Sequence, residues 1–517
     1  MELPAPRSFR GAFRTDDAAR AVYAEAAGIQ RMEPRAVAVP VDVEDLLALI
    51  DWARSQGAAL VPRGSGSSMA GGAIGPHVVV DLSRWKSIAP GESGGLIAGA
   101  GAICRDVDLF AGEMGKRFPV DPSSAAFCTI GGMTATNAAG AHTLAFGSMR
   151  KWVTGMRCLF ADGTIRWVRR SREPQARGPL SDAAATHAGV RKDSSGYRTG
   201  GDLVDLLVGS EGTLAFFTEI ELRLTDLPGA EATIMGVFPS LEAATEAAMR
   251  ATEAGVVTCE LLDRTFLDLV AEASGKPFPT GTEAVLLSNV EAESASAAKS
   301  AAERVQKQFR AVGATEIRVA VDPQEQETLW ELRHAASPTI AKLDPNLKSM
   351  QFIEDGCVPP ARLPDYVKGI RRALDRQMIR GVIFGHAGDA HIHVNPLVDV
   401  RMTDWRRRVT VLLDEATDLV ASLGGTISGE HGDGRIRTPL LERVWPAESL
   451  AAFERVKTEY DSSGLLNPGV KVRGIPGIGE IKYDPALPAV PPEARKVLDE
   501  VERRRAYGEF RLDMLRR

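Results

Sequence analysis

The sequence predicts a soluble globular protein in which helices and strands are mixed. Hydrophobic residues make up 44% of the 517 residues and charged residues 25%, the ordinary balance of a chain that buries a core. Residues 43–56 have the apolar spacing of a helix, which stops at Gly57. Residues 58–62 and 77–82 are short apolar runs of the kind that form strands. Length by itself suggests about three or four folding units.

Further elements are predicted along the rest of the chain from apolar runs and helical spacing. The Asp-Gly pair at 162–163 indicates a hairpin between two of the strands. The remaining strand predictions are 36–40, 156–160, 164–168, 219–224, 234–238, 285–290 and 350–353, and the remaining helix predictions are 16–29, 241–254, 293–312 and 329–333.

A turn rich in glycine and serine, Arg63 to Ser68, joins the strands at 58–62 and 77–82. No helix opens after its glycines, so the turn does not match the strand–turn–helix unit of a Rossmann fold. Successive backbone N–H groups in such a turn can still hold an anion such as phosphate. A plain tight loop is an equal alternative for this turn taken by itself.

A second tract of small residues runs from residue 121 to 147, and residues 206–214 repeat the pattern. Such a tract is too poor in large side chains to form a core and too apolar to be a disordered linker. A backbone that lies against a large flat ligand explains it better.

Four of the eight histidines fall in two short segments, residues 384–396 and 424–434. In an extended stretch, side chains alternate between faces, so His391, His393 and Asn395 are expected on one face of a strand. Polar strand-end residues satisfied by backbone hydrogen bonds would explain a lone histidine. They explain a cluster between short glycine turns less well, because glycines clear room for a ligand.

The neighbours of this strand complete a predicted metal site. His386 lies in the glycine-rich turn before it and is expected to fold back over the same face. Imidazoles with the carboxylate of Glu430 suit a divalent metal, with zinc the leading candidate. His431 is adjacent to Glu430 and points another way, so one side chain can bind metal while the other faces a substrate.

Composition excludes several classes of function. The net charge of −6 gives no argument for binding nucleic acid or an anionic membrane surface. The N-terminus lacks the apolar core of a signal peptide, and no apolar run approaches about 18 residues. The five cysteines are scattered, without a CxxC pair, which argues against a disulfide framework and against an iron–sulfur cluster within the chain. We expect a cytoplasmic protein.

Eight motifs together resemble one family of flavoproteins. They follow the family's order over residues 30–472 and read PRGSGSS, PVDPSS, TIGG with ATNAAG, LLVGSEGTL, WELR, GHAGDAHIHVN, GGTISGEHGDG and GLLNPG. The chain resembles the FAD-binding oxidoreductases of the vanillyl-alcohol-oxidase superfamily, whose FAD domain is of the PCMH type. Within it, the resemblance is to the branch of D-lactate, glycolate-oxidase-like and D-2-hydroxyglutarate dehydrogenases.

This resemblance implies an α+β fold. An N-terminal segment, 1–29, would precede a two-subdomain FAD-binding domain of the PCMH type at 30–227. An FAD-linked oxidase C-terminal domain, the substrate or cap domain with a central antiparallel sheet, would occupy 228–472. Residues 473–517 would form a linker and a C-terminal helix, which is either a solvated helix or a docking element for a separate electron-accepting subunit.

The resemblance also implies which residues bind FAD. Many relatives attach FAD covalently through a histidine in the first loop. Ser67 and Ser68 stand at the matching positions, and serine cannot form that link, so FAD is expected to be non-covalent. The residues expected to bind FAD are Pro62, Arg63, Gly64, Ser65, Gly66, Ser67, Ser68, Pro122, Ser123, Gly131, Gly132, Thr136, Asn137, Gly140, Gly212 and Asn467.

By the same resemblance, His386, His393 and Glu430 match the metal ligands. His391 departs from the commonest pattern, which has asparagine there, so three roles stay open for it: a metal ligand, a hydrogen-bond partner of the substrate, or a space-filling residue. His431 matches the catalytic base, and the near-neutral pKa of an ordinary imidazole suits that task.

Three further residues match substrate contacts of the family. Arg333 would grip the substrate carboxylate, because a guanidinium offers two parallel donors, although an arginine taken by itself is more often a surface or ion-paired residue. Lys348 matches a second anion contact, and Asn395 a further contact to the substrate.

The function implied is oxidation of a D-2-hydroxy acid (D-lactate, glycolate or D-2-hydroxyglutarate) to the 2-oxo acid, assisted by the metal, with hydride passing to N5 of the flavin. One alternative is an FAD-dependent transferase like the alkylglycerone-phosphate synthases. Another is the flavoprotein subunit of a glycolate-oxidase-type complex.

Expected partners follow from the same reading. They are a small hydroxy acid and, since no cysteine follows Cys357, a separate iron–sulfur or electron-transfer subunit. That partner could hold the protein at the inner membrane. A homodimer is left open, and neither nucleic acid nor integration into a membrane is expected.

Overall fold

The computed structural model describes residues 3–170, 187–274, 278–334 and 346–517, and it confirms the α+β fold class. Strands gather in three main sheets, with helices packed against their faces. No helix among the described residues is both long and apolar enough to cross a membrane. The helices α1 to α18 of the described residues are Asp17–Tyr23, Val43–Gln56, Cys104–Glu113, Ile130–Thr136, Thr143–Phe146, Met149–Trp152, Leu203–Leu207, Leu241–Glu253, Arg264–Ser274, Ala295–Ala311, Pro323–His334, Leu363–Arg376, Trp405–Ser422, Gly434–Arg437, Leu441–Val444, Ala447–Tyr460, Pro492–Arg504 and Arg511–Met514.

The first sheet is small and carries the glycine-rich turn at one end. Its strands β1 to β4 are Ala12–Arg14, Ala36–Val39, Leu60–Arg63 and Val78–Asp81, in the order β1-β2-β4-β3. The predicted helix over residues 43–56 is confirmed as α2. The Asp42 side chain accepts a hydrogen bond from the Asp45 N–H at its start, and Gly57 ends it with a positive φ of 58°.

The second sheet is antiparallel, in the order β5-β6-β10-β8-β9. The predicted hairpin is confirmed by the pairing of β8 with β9. Gly163 takes a φ of 87° in the turn, and the Asp162 carboxylate accepts the Thr164 N–H at 2.8 Å. The strands β5 to β11, of which β7 and β11 form a separate pair, are Ile88–Pro90, Leu96–Gly99, Lys116–Arg117, Val153–Phe160, Ile165–Arg169, Ala215–Leu222 and Thr225–Asp226.

The third sheet is the antiparallel sheet that the resemblance implied. Its order is β15-β12-β14-β13-β18-β19-β16, with β17 paired to β19. Helices α8, α10, α12 and α13 bury their apolar residues with one face of it in the largest core. The strands β12 to β19 are Ala230–Phe238, Thr258–Asp263, Ala284–Ala292, Glu316–Ala320, Leu347–Ser349, Gly356–Cys357, Arg380–His386 and His391–Asp399.

Two predictions near the third sheet are wrong. Lys348 lies within the strand β16, and the predicted strand over 350–353 does not form. The chain leaves the sheet because Phe352 is drawn into the apolar core, and the backbone turns sharply at the buried Glu354. His386 is the last residue of β18 rather than part of a loop, and it pairs in register with Glu260 of β13.

Both chain ends also differ from prediction. The first helix stops at Tyr23 and covers only part of 16–29. The predicted linker, which begins at residue 473, makes hydrogen bonds to the N-terminal segment: the Arg31 N–H donates to the Glu480 carbonyl, and the Lys482 N–H donates to the Ile29 carbonyl. The final helix breaks at Arg505, whose φ of 53° is left-handed.

The two halves of the chain meet through a polar contact between two loops. The loop 191–197, from the half that carries the first two sheets, lies against the HGDG segment. The Ser194 N–H donates to the Ser428 carbonyl at 2.8 Å, and the Gly196 N–H donates to the Asp433 carboxylate at 2.8 Å. Both carboxylate oxygens of Asp433 are used, because Ser428 Oγ donates to the other at 2.6 Å.

One lysine pairs with both buried carboxylates at this contact. The side chain of Lys471 is fully buried, with Nζ 2.9 Å from Asp433 Oδ2 and 3.1 Å from Glu211 Oε1. Nζ also donates to the Ser194 carbonyl at 2.7 Å. Paired and hydrogen-bonded in this way, the three groups can remain buried.

We expect Lys471→Met to lower the free energy of unfolding by about 3–5 kcal/mol, because it leaves Glu211 and Asp433 as buried carboxylates without their cation. Urea denaturation followed by circular dichroism measures the change. Arg250→Met, which breaks the exposed pair with Glu246, is the matched control and should cost less than about 1 kcal/mol. Equal urea midpoints for the two variants would contradict this account.

Candidate functional site

A large cavity lies between the glycine-rich turn, the small-residue tract and the end of the third sheet. Its volume is about 1210 Å³. This is above the roughly 300–1,000 Å³ of common ligand pockets, so a large cofactor and a small substrate fit together. Most residues predicted to bind FAD line it, namely Pro62, Arg63, Gly64, Ser65, Gly66, Ser67, Ser68, Pro122, Ser123, Gly131, Gly132, Thr136 and Gly212.

The glycines bring backbone close to backbone on this wall. A Cβ added to Gly64 would lie 2.2 Å from Thr129 Oγ1, and one added to Gly131 would lie 2.8 Å from Ala100. Ser68 Oγ is buried without a hydrogen-bond partner among the described residues. A smooth backbone wall with an unsatisfied hydroxyl is what a flat, polar cofactor would meet, so the residues present fit FAD.

Three predicted FAD residues, Asn137, Gly140 and Asn467, do not line the cavity. The Asn137 amide oxygen accepts the Arg150 N–H at 3.0 Å, and the Asn467 amide nitrogen donates to the Glu211 carbonyl at 2.8 Å. These side chains shape the loops behind the wall.

Arg63 lies at the cavity with its guanidinium turned into the protein. The side chain is buried, and its nitrogens donate to the carbonyls of Tyr23 and Ala73 at 3.3 Å and of Glu25 at 3.0 Å. The guanidinium therefore ties the start of the glycine-rich turn to the backbone at Tyr23, Glu25 and Ala73. What the turn offers to a ligand on its other side is backbone N–H groups and serine hydroxyls.

The three predicted metal ligands converge at the substrate end of the cavity. His386 Nε2, His393 Nε2 and Glu430 Oε1 form a triangle in which each distance is 3.4 Å. Ligand atoms at the usual distance from a tetrahedral zinc are about 3.4 Å apart. The donor set therefore fits a divalent metal without rearrangement, and all three side chains line the cavity.

Hydrogen bonds behind these histidines direct their Nε2 atoms to one point. His386 Nδ1 lies 2.5 Å from Glu260 Oε1, and His393 Nδ1 donates to the Glu354 carbonyl at 2.8 Å. A metal that binds at this point would find a lone pair on each Nε2, because the Nδ1 proton of each imidazole is held by its partner. This is the usual arrangement behind metal-binding histidines.

Glu430 is held by a lysine that the sequence analysis missed. Lys192 Nζ lies 2.9 Å from Glu430 Oε2 and donates to the Gly140 carbonyl at 3.0 Å, and its side chain is fully buried. Burial by itself would raise the pKa of Glu430, but Lys192 and the imidazoles outweigh it and hold the pKa well below its usual range. The lysine occupies Oε2 and leaves Oε1 to the triangle.

His391 lies behind the triangle. Its Nε2 is 2.9 Å from Asp355 Oδ1, and burial lowers its pKa to about 3, so the imidazole is neutral. Its Nδ1 is buried without a hydrogen-bond partner among the described residues and lies 3.7 Å from Glu430 Oε2. His391 can join the same donor set, since suitable atoms of His386, His391, His393 and Glu430 all lie within 4.8 Å of one another.

His431 borders both the triangle and the cavity, with its ring stacked on that of His393 at 5.5 Å. Nδ1 is 3.2 Å from Glu354 Oε1, while Nε2 faces Glu430 Oε1 at 3.7 Å. Burial lowers the pKa of His431, but the carboxylates of Asp355 and Glu354 outweigh it and raise the pKa to about 9. The near-neutral pKa expected from the sequence is therefore not what this arrangement gives: below a pH of about 9 the imidazole carries a second proton and must lose it before it can act as a base.

The three predicted substrate contacts, Arg333, Lys348 and Asn395, all line the cavity. Arg333 Nε donates to Glu260 Oε2 at 2.9 Å, and its guanidinium lies 5.0 Å over the ring of Phe384. Glu260 therefore holds Arg333 with one oxygen and His386 with the other, which ties the predicted substrate contact to the metal triangle.

The residues that the sequence analysis missed are the buried partners of the predicted ones. They are Glu260, Glu354, Asp355, Lys192 and Arg437, and the Arg437 guanidinium pairs with both Glu354 and Asp355. A carboxylate inside an apolar run, as in Cys259-Glu-Leu-Leu and Phe352-Ile-Glu-Asp, is a signal that could have found three of them. Lys192, in a loop rich in charged and polar residues, has no such signal.

Comparison with known proteins agrees with this geometry. A family model described as "FAD binding domain" matches residues 34–169. A second, described as "FAD linked oxidases, C-terminal domain", matches residues 227–470. Together they cover the glycine-rich turn, the small-residue tract and the histidine cluster.

Curated relatives match most of the chain. The glycolate oxidase subunit GlcD of Bacillus subtilis (strain 168) is 29% identical over 464 residues, which covers 88% of this chain and 93% of that one. A D-lactate dehydrogenase of Archaeoglobus fulgidus is 30% identical over 447 residues, with 84% and 91% covered. A D-2-hydroxyglutarate dehydrogenase of Xanthomonas citri pv. viticola is 28% identical over 452 residues, with 84% and 89% covered.

Solved structures share the fold at lower identity. The 4-ethylphenol oxidase from Gulosibacter chungangensis has a TM-score of 0.68 at 14% identity, with 89% of this chain and 94% of that one covered. An alkyldihydroxyacetonephosphate synthase has a TM-score of 0.61 at 14% identity, with 88% and 82% covered. The chain belongs to the FAD-binding oxidoreductases with a PCMH-type FAD domain, in the branch that contains the D-lactate, glycolate-oxidase-like and D-2-hydroxyglutarate dehydrogenases.

Proposed function

We propose that the protein oxidises a D-2-hydroxy acid to the 2-oxo acid, with non-covalent FAD as the hydride acceptor and a divalent metal, zinc first among the candidates, at the histidine cluster. The observation that carries the proposal is the triangle of His386, His393 and Glu430 at the cavity, beside His431 and Arg333. A 2-hydroxy acid offers a carboxylate and an adjacent hydroxyl. The cavity wall carries a cation for the carboxylate, Arg333, and a base for the hydroxyl, His431.

Arg333 would bind the substrate carboxylate. Its guanidinium keeps a fixed plane because Nε is held by Glu260 and the group lies over the ring of Phe384. Lys348 and Asn395 are at the same end of the cavity and would add an ammonium and an amide to the contacts. Held at one end in this way, the substrate would turn its C2 hydrogen toward the backbone wall where the flavin is expected.

In its neutral form, His431 would take the hydroxyl proton at Nε2, and a metal cation held at the adjacent triangle would favour that neutral form. Its Nδ1 faces Glu354 Oε1 at 3.2 Å, which fixes the ring and leaves Nε2 to accept. The positive charge that forms on the imidazole would be stabilised by Glu354 and Asp355, the same carboxylates that raise its pKa. A metal bound at the triangle would lower the pKa of the substrate hydroxyl, and bound FAD would supply the oxidising power.

A second candidate function is that of a flavoprotein subunit in a larger complex. The observation in its favour is the 29% identity to a relative that is itself named a subunit, of glycolate oxidase. Such a subunit would pass electrons to a separate iron–sulfur or electron-transfer partner. We place the protein in the cytoplasm, with a partner of that kind as its means of reaching the inner membrane.

Acid precipitation is expected to release the FAD. Ser67 and Ser68 occupy the part of the glycine-rich turn where a linking histidine would stand, and a serine hydroxyl does not form that bond to the flavin. The released flavin is measured by absorbance and chromatography of the supernatant. Yellow colour that stays with the denatured pellet would show that another residue links it.

Removal of the metal with a chelator is expected to abolish turnover while the flavin stays bound, because the triangle and the residues expected to bind FAD are separate parts of the cavity. His393→Ala removes one corner of the triangle and should weaken metal binding. Loss of a residue that only supports a metal ligand lowers affinity by about 10- to 100-fold, so loss of a ligand should cost at least as much. His391→Asn is the matched control and should weaken binding less. Metal content by elemental analysis after dialysis measures both. Full activity in metal-free protein would exclude the proposed role of the metal.

His431→Asn should slow flavin reduction by about 10²- to 10⁴-fold, the usual contribution of a positioned base, with little change in binding of the 2-oxo acid. Arg333→Ala should instead raise KM, because it removes a contact made before and during the reaction. Anaerobic stopped-flow measurement of both variants, with a panel of D- and L-hydroxy acids, separates the two effects. A His431→Asn variant as fast as the parent would remove His431 as the base.

A further inference from the structure

The last residues of the chain pack against the rest of the protein, although the match to the family model ends at residue 470. The C-terminal segment, residues 474–517, buries one side against α1 and the first sheet. The buried residues of this side are Val490, Ala494, Val497, Leu498, Val501, Leu512 and Met514. The segment is therefore anchored, and its position relative to the cavity is fixed by apolar packing.

The other side of the C-terminal segment lines the same cavity as the proposed active site. It contacts Phe127, which lines the cavity near the residues expected to bind FAD. The Arg505 guanidinium lies 5.1 Å over the Phe127 ring, and the Tyr507 ring is 5.3 Å away. The cavity-lining residues of the segment are Tyr483, Asp499, Glu502, Arg503, Arg504, Arg505 and Tyr507. A stretch outside the matched domains thus closes one side of the substrate space.

Within that wall, Tyr483 lies against Lys348. The Lys348 ammonium is 5.2 Å from the centre of the Tyr483 ring, and the Lys482 ammonium is 5.1 Å from it. The Tyr483 hydroxyl donates to Glu502 Oε1 at 2.8 Å. The Lys348 backbone pairs with β19, but its ammonium has no hydrogen-bond or ion-pair partner among the described residues, which leaves its N–H groups for a ligand.

Glu502 stands beside this group as a carboxylate. Burial raises its pKa, but Lys482, the Tyr483 hydroxyl and the charge of Lys348 outweigh burial and lower it. The Glu502 carboxylate, which accepts the Tyr483 hydroxyl, places a negative charge near the ring, and this charge and the electron-rich ring face both attract the Lys348 ammonium. The ring gives Lys348 a preferred position without using its N–H donors.

A free lysine side chain has many rotamers, and ordering it on binding reduces affinity. We propose that Tyr483, held by Glu502, is a positioning residue for the substrate, which acts by fixing Lys348 over its ring before the substrate arrives. The proposal rests on the proposed function, since it assigns Lys348 to an anionic substrate group. The C-terminal segment then sets substrate affinity, while the chemistry stays with the histidine cluster.

The test is a double-mutant cycle on the FAD-loaded protein. Tyr483→Leu should raise KM, and the dissociation constant of the 2-oxo acid, by about 3- to 30-fold, the range expected for a cation over an aromatic ring. The limiting rate of flavin reduction should stay within about twofold. Tyr483→Phe, which keeps the ring, should recover most of the affinity. In a Lys348→Met background, Tyr483→Leu should add nothing.

Phe510→Leu is the matched control, because Phe510 lies in the same segment, packs against the first sheet and does not line the cavity. It should leave KM unchanged. If Phe510→Leu raises KM as much as Tyr483→Leu does, the effect is general loosening of the segment and the proposal is wrong. Additive effects of Tyr483→Leu and Lys348→Met would also overturn it, as would an unchanged KM in Tyr483→Leu.

A second readout does not depend on activity. Lysines reductively methylated with ¹³C give one NMR signal each, and a methyl group above a ring face is shifted upfield. The Lys348 signal, assigned by its loss in Lys348→Arg, should be shifted in the parent and in Tyr483→Phe but not in Tyr483→Leu. A parent protein whose flavin no hydroxy acid reduces would refute the proposed function, whereas an unshifted Lys348 signal would refute the contact itself.

Discussion

The arrangement of the site depends on one buried ion pair, between Lys192 and Glu430. Lys192 comes from a loop of the flavin-binding half and Glu430 from the second half, and the pair lies where the two halves meet. Both side chains are buried, so each charge would be strongly destabilised without the other. Closing the two halves and orienting the Glu430 carboxylate are therefore the same event. Lys192 also donates a hydrogen bond to the Gly140 carbonyl, which links the loop that contains Gly140 to this ion pair.

Carboxylates organise the rest of the site in the same manner. Glu260 joins His386 to Arg333, and Glu354 with Asp355 surrounds His431. Each acid accepts hydrogen bonds from groups that would otherwise rotate freely or lose their protons to neighbours. In a region with little water such bonds are strong, and they fix both the direction and the protonation state of the side chains. The cluster is thus set for metal and substrate by residues that need not touch either.

In the proposed mechanism, the contact that tunes substrate affinity and the residues that carry out the chemistry lie in different parts of the molecule. The third sheet supplies the histidines on β18 and β19, each of which is paired with strands on both sides. Lys348 comes from the edge strand β16 and meets a wall made by the C-terminal segment. An edge strand against a separately packed segment can vary with little effect on the core. Differences in substrate preference within such a fold can therefore arise at this wall without disturbing the metal triangle.

The sequence by itself determined the elements with local signals. Helix α2 with its caps, the Asp-Gly hairpin, and the spacing that puts His391, His393 and Asn395 on one strand face all follow from neighbouring residues, and the motifs identified the family. Only the tertiary structure decided what depends on distant partners: the pairing of Lys192 with Glu430, the carboxylates that raise the pKa of His431, the exit of the chain from the sheet at Met350, and the contact of Tyr483 with Lys348. Short-range preferences are set by backbone sterics and period, which a sequence displays. Burial and charge pairing between residues far apart in the chain exist only after the fold has formed.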